Sequence, residues 1–305
     1  MNSGEHSRSS EATATPAAGK EQTPGDAATA PLPPDAETWH LTLAYDGANF
    51  HGWQIQPGLR TVQDELQKRL RLLLHLPELR VAATSRTDAG VHALDQHVSF
   101  AAPPNPELSP ETLRRTLNRW LPQDMQVLGA ARAAAGFHAR HSAQGKAYTY
   151  VVCTGERCHP LFTRFVWHSP RPLDYDAMRR AAAFVTGEHD FSSFAVNPRR
   201  EIESHVRTLH RVEVFEAGDL VCFNVVGNRF LYKMVRSLVG YLLHVGHGAV
   251  PAEKTPAVLA AQTRCAAADS APAQGLFLAR VFFEPDGWQR YVPVLPPFGW
   301  REGNT

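Results

Sequence analysis

Long apolar runs are missing from this chain of 305 residues. No window approaches the 18 or so consecutive apolar positions that a membrane-crossing helix needs, so the sequence offers no spanning segment. Cysteine is scarce as well. The four present, Cys153, Cys158, Cys222 and Cys265, show no C-x-x-C spacing, which argues against both a disulfide framework and a tetrahedral zinc site. The nearest metal-like stretch, "CTGERCH", lacks a second ligand pair. Also absent are a Walker loop, G-x-G-x-x-G, H-E-x-x-H and G-x-S-x-G, so nucleotide hydrolysis, dinucleotide redox chemistry, zinc proteolysis and nucleophile-elbow hydrolysis lose their usual signatures. An excess of charge of one sign is lacking too, since 31 Lys and Arg stand against 30 Asp and Glu. Residues 1–36 hold two basic and five acidic residues, which leaves the remainder at about +4, mildly basic and no more.

What is present begins with a tail. Residues 1–37 are Ala, Thr, Pro, Ser and Gly with scattered charge and almost no large apolar side chain, a composition that cannot offset its own ordering entropy, so disorder is expected there. The tail has neither a basic start before an apolar block nor an Arg-rich amphipathic pattern, and a cytoplasmic address is expected. From Trp39, "WHLTLAYDG" alternates as a strand and stops at a turn signal. "TVQDELQKRLRLLLHL" opens on Thr61 with Asp64 three residues later and places Val62, Leu66, Leu70, Leu73 and Leu74 on one helical face. "LRVAATS" and "DQHVSFAA" read as strands flanking "RTDAGVHA". "SPETLRRTLNRWL" reads as a helix with Ser109 at the cap, Pro110 at the first position, and Leu113, Leu117 and Trp120 as its apolar side.

"KAYTYVVCT" alternates as a strand, so Tyr148 and Tyr150 share a face. Asp174 caps a predicted helix ended by Gly187. "VRTLHRVEVFEA" and "DLVCFNVVG" form a hairpin signal across a Gly-Asp turn. "RFLYKMVRSLVGYLLHVGHG" predicts a long helix and "GLFLARVFFE" a final strand. Helix and strand patterns thus occur twice. The expectation is an α+β architecture of two similar halves, 38–145 and 146–305, with mainly antiparallel sheets and a cleft between them for a substrate.

Three places carry more polar chemistry than a fold requires. In "SRTDAGVH", Arg86, Asp88 and His92 gather around Gly90 on a loop between strands, where a bland turn needs one polar residue. Arg236 sits beside the apolar face of its helix, either snorkelling to water or pairing with a buried carboxylate. Tyr148 is either a half-buried strand residue or a platform on which an unstacked base can lie. The run "NPRREIESHVRTLHR" adds Arg199, Arg200, Arg207 and Arg211, a solvated face or a nucleic-acid patch.

Six blocks in order, "LAYDGANFHGWQIQPGLRTVQDEL", "SRTDAGVHALDQHVSF", "FHARHSAQGKAYTYVV", "GEHDFSSF", "FLYKMVRSLVG" and "QGLFLARV", resemble the bacterial tRNA pseudouridine synthase A family over about Leu41 to Phe283. The resemblance implies a pseudouridine-synthase fold around a central RNA-binding cleft and an isomerase acting on uridines 38, 39 and 40 of the tRNA anticodon stem-loop. It further implies a homodimer, with no metal and no organic cofactor. By match to the family motifs, Asp88 would be the catalytic aspartate, Arg86 would assist base flipping, Tyr148 would stack on the uracil and Arg236 would pair with Asp88. Two positions depart from the family: Ser85 stands where Gly is usual before R-T-D, and Asp95 where Gly is common. Two other readings use the same residues, a non-catalytic tRNA-binding or folding chaperone of the same fold, and a synthase directed to another RNA site.

Overall fold

The computed structural model describes residues 35–196, 204–264 and 269–296. Most of the expected tail, together with Arg199, Arg200 and Cys265, lies outside the described residues.

Among the described residues, ten strands form one sheet. The first segment of chain supplies β1 (Glu37–Tyr45), β2 (Ala82–Ala83), β3 (His92–Ala102) and β4 (Met125–Ala133). The second supplies β5 (Gly145–Cys153), β6 (Trp167–His168), β7 (Gly187–Asp190), β8 (Val206–Ala217) and β9 (Leu220–Gly227). Strand β10 (Leu276–Phe282) joins the two sets, and the order runs β4-β1-β3-β10-β5-β9-β8-β7, with β2 beside β3 and β6 beside β5. Pairing is antiparallel except at β3–β10, where Phe277 faces His92 and Leu278 faces Ala93, and at β5–β6. The architecture is therefore α+β with a mostly antiparallel sheet.

Five α-helices among the described residues accompany the sheet: α1 (Val62–Leu74), α2 (Pro110–Trp120), α3 (Tyr175–Val185), α4 (Met234–Gly246) and α5 (Thr255–Ala260). The caps are those the sequence predicts. Thr61, Ser109 and Asp174 each accept a hydrogen bond from the backbone N–H three residues on, which satisfies a donor that a helix end otherwise leaves open. Val62, Leu66 and Leu70 of α1, Leu113 and Leu117 of α2 and Met178 of α3 enter one hydrophobic core with alternate residues of β1, β5 and β9. Helix α4 is apolar nearly all round and is the central helix of that core. Val151, Cys153, Val166, Cys222 and Phe277 form a smaller cluster. The alternation of Val151 with Tyr150 and Val152 places that cluster on the opposite face of the sheet.

Three expectations need correction. Trp120 is the last residue of α2 and 42% exposed, so Leu113 and Leu117 alone carry that helix's apolar side; its carbonyl takes a hydrogen bond from Arg69 Nε at 2.9 Å. The strand expected in "LRVAATS" shrinks to two residues. The long helix expected from Arg229 starts only at Met234, because Lys233 adopts a left-handed conformation (φ 57°) that breaks the helical course before it. Strand β4, the alanine-rich "MQVLGAARA", is an element that the pattern of apolar residues did not announce.

Candidate active site

The connection from β2 to β3 is held so that its side chains alternate between two surroundings. Gln96 of β3 clamps the backbone of Ser85, its Nε2 donating to Ser85 O at 2.7 Å and its Oε1 accepting from Ser85 N–H at 3.3 Å. Thr87 Oγ1 meets the buried Tyr45 hydroxyl at 2.8 Å, and burial pushes the Tyr45 phenol up to about 12, which keeps it neutral. With Thr87 committed to the interior, Arg86 and Asp88 are presented to a cleft of about 870 Å³.

The segment after β1 backs this loop. Trp53 N–H donates to Thr87 O (3.0 Å) and Gly90 N–H to Phe50 O (3.2 Å). Gly52 makes the close approach possible: its φ is +88°, and a Cβ there would lie 2.8 Å from Thr87 O.

Asp88, Arg86, Tyr148 and Arg236 all line this one cleft. Arg236, in the first turn of α4, places Nη1 3.1 Å from Asp88 Oδ2 and Nε 2.6 Å from Ala271 O. Their side chains are 14% and 18% exposed, so Arg236 does not snorkel; it is the partner of a carboxylate largely removed from water. A charge so placed needs such a partner. Tyr148, from the middle of β5, meets Ser85 Oγ through its hydroxyl at 2.6 Å, and its ring stands edge to Phe230 with centroids 5.0 Å apart at 80°. Burial, the first of its causes, holds the Tyr148 phenol well above the usual tyrosine range. It is a neutral ring with a neutral hydroxyl. Tyr150 shares the face as expected but is fully buried, its hydroxyl donated to Pro272 O at 2.7 Å.

The cleft is strongly positive. Arg86, Arg140, Lys146, Arg207, Arg229, Lys233 and Arg236 line it, against the single carboxylate of Asp88 among the described lining residues. Burial first, then the charges of Arg140 and Arg229, lower the Lys146 ammonium to about 8. The net charge of the whole chain, +1, conceals this asymmetry. Of the predicted basic run, Arg207 faces the cleft, while Arg211 donates to Trp288 O and Tyr291 O elsewhere.

Two residues singled out in the sequence lie apart from the cleft. His92 is buried and stacks on Phe277 with centroids 4.7 Å apart; its Nδ1 accepts from Gly47 N–H at 3.0 Å and its Nε2 reaches Gln274 O at 3.1 Å. It ties loops together and adds no polar group to the site. Asp95 accepts from Val281 N–H at 2.8 Å and from His97 Nε2 at 3.1 Å, in a second cavity of about 760 Å³.

The sequence reading passed over Lys146, Phe230, Tyr232 and Trp53, all on the cleft wall. For Lys146 the signal existed, since the alternation that pairs Tyr148 with Tyr150 also includes position 146. Among the described residues no group of three or more His, Cys, Asp or Glu side chains is placed to hold a metal ion, and no helix is long and apolar enough to cross a membrane.

A family model described as tRNA pseudouridine synthase matches residues 181–284. The tRNA pseudouridine synthase A of Geobacillus sp. (strain WCH70) is 40% identical over 243 residues, covering 80% of this chain and 97% of the relative. That of Geobacillus kaustophilus is 44% identical over 246 residues (80% and 93%), and that of Halalkalibacterium halodurans 43% identical over 240 residues (79% and 90%).

Proposed function

The chain belongs to the tRNA pseudouridine synthase family, an isomerase family, and from that premise we propose that it converts uridines 38, 39 and 40 of the tRNA anticodon stem-loop to pseudouridine, with Asp88 as the catalytic nucleophile. One observation carries the reading: the only carboxylate among the described lining residues of a basic cleft is paired to an arginine at 3.1 Å and shares that cleft with a tyrosine ring.

The chemistry suits this set. The N1–C1′ bond breaks and a C5–C1′ bond forms; C5 loses its proton and N1 gains one, so atoms and electrons balance without a redox partner or external reagent. Asp88 supplies the carboxylate, and the Arg236 guanidinium lies against it as its ion-pair partner at 3.1 Å. The target nucleotide must leave its stack, at a cost of a few kcal/mol. In this reading Arg86 assists that flip and Tyr148 receives the uracil face. The surrounding guanidinium and ammonium groups suit phosphates. Residues 38–145 contribute Arg86 and Asp88, residues 146–305 contribute Tyr148 and Arg236, and the cleft between them takes the RNA. In this reading the enzyme is a homodimer and works in the cytoplasm.

The test is tritium release from [5-³H]uridine-labelled tRNA transcripts by the wild type and by Asp88→Asn. Release by the former, and none by the latter with tRNA binding retained, is the expected outcome. Tight tRNA binding with no release by the wild type would replace the enzyme with a non-catalytic binder.

A further inference from the structure

The Tyr148 side chain is held at two ends. Phe230 stands against its ring, and its hydroxyl meets Ser85 Oγ at 2.6 Å, the one hydrogen bond of that hydroxyl among the described residues. Tyr148 is only 7% exposed, so this hydroxyl has little water to turn to. Ser85 is itself fixed, since the buried Gln96 amide grips its backbone on both sides. It lies next to Arg86 and three residues before Asp88. The bond therefore joins the loop that carries the carboxylate to the strand that carries the aromatic ring.

We propose that Ser85 is a positioning residue that sets the Tyr148 ring relative to Asp88 through this hydroxyl–hydroxyl bond. The proposal rests on the reading of the cleft as a uridine isomerase site. A glycine at this position would offer no such hydroxyl, so the bond depends on the serine that this sequence places there. Serine acts here through tyrosine and needs no contact with the base. Its loss would leave the phenol hydroxyl without its partner and free the ring to tilt. Phosphate contacts spread along the cleft are untouched, so tRNA affinity would change little.

A double-mutant cycle tests this by tritium release. Ser85→Ala is expected to lower kcat about fivefold with KM within about twofold, the size of one net hydrogen bond. Ser85→Thr, which keeps the hydroxyl, should restore most of it. In a Tyr148→Phe background Ser85→Ala should change the rate less than about twofold, because the bond is already gone. An equal loss in both backgrounds, or none in the wild-type background, overturns the proposal. A second measurement does not depend on activity. In protein labelled with [¹³Cζ]tyrosine, the resonance that Tyr148→Phe removes should shift in Ser85→Ala and stay near its place in Ser85→Thr. An unmoved resonance in Ser85→Ala overturns the bond. A resonance that shifts in Ser85→Ala, together with a wild type that releases no tritium, refutes the isomerase reading and leaves the Ser85–Tyr148 bond standing.

Discussion

Asp88 and Arg236 stand 148 residues apart in the chain and 3.1 Å apart in the fold. Arg236 divides its guanidinium between two acceptors, Nη1 to the carboxylate and Nε to Ala271 O. A lysine ammonium keeps the charge but cannot hold that planar division. Arg236→Lys is expected to lower single-turnover tritium release roughly ten- to a hundredfold, as loss of a charge-assisted hydrogen bond would. Filter binding of tRNA should change by no more than about threefold. Equal losses in rate and binding would contradict the pairing role.

Gly52 presses against the loop that carries Asp88. Its positive φ and the 2.8 Å separation between a built Cβ and Thr87 O make Gly52→Ala strained in two ways. Gly58, with φ +72° and open space around it, is strained in one. Calorimetry should show a fall in Tm of roughly 2–10 °C for Gly52→Ala, with reduced turnover because the loop must shift. A smaller fall is expected for Gly58→Ala, and a reversed order would mean that the contact with Thr87 is not limiting.

Lys146 gives the cleft a pH dependence. It is protonated below about 8, so raising the pH from neutrality through that value removes one positive charge facing the RNA. The slope of log K for tRNA against log salt should then become shallower by about one between pH 7 and pH 9. Lys146→Arg should hold its slope. The effect on folding has the opposite sign. The folded lysine releases its proton near 8 and the unfolded one near 10.5, so the unfolded chain binds more protons between these values. Urea melts should show stability from this group rising with pH across that window, and Lys146→Met should remove the rise.

Asp124 works on the acid side. Arg60 grips it with two hydrogen bonds, Nη1–Oδ2 at 2.7 Å and Nη2–Oδ1 at 2.8 Å, and these hold its carboxyl below the usual carboxylate range. A depressed carboxylate contributes stability that is complete above its unfolded pKa, near 3.8, and lost as pH falls through the lower folded value. The stability difference between wild type and Asp124→Asn in denaturant melts should therefore be largest above about pH 5 and shrink below about pH 4. A difference independent of pH would assign the loss to packing of the segment that Arg60 anchors.

Local chemistry was legible in the sequence and its long-range assembly was not. Thr61, Ser109 and Asp174 announced helix starts because a short polar side chain before an apolar repeat has a local partner to satisfy. The turn at Gly218 and Asp219 announced the β8–β9 hairpin for the same reason. Helix α4 carries no such signal at its start. Lys233 breaks the course by a backbone conformation that lysine does not advertise, so Phe230 was taken for a helix residue when it stands against Tyr148. Strand β4 hid because its alanines provide little contrast between alternating faces. At the site, residue types marked Asp88, Tyr148 and Arg236 as unusual. Residue types alone left the partner of Arg236 open and only the resemblance named Asp88, 3.1 Å away in the fold; that His92, four residues after Asp88, turns away from the cleft is visible in the fold alone.

The place of β10 in the sheet bears on how the enzyme is made. On a ribosome β3 and β5 are translated long before the strand that bridges them. Until residues 276–282 emerge, each presents an unpaired edge, the condition in which nascent chains recruit wrong neighbours. A message broken before Leu276 would encode Asp88, Tyr148 and Arg236 without the strand that pairs with both β3 and β5. Among the described strands the two sets are joined within the sheet by β10, a segment made after Asp88, Tyr148 and Arg236 have all left the ribosome.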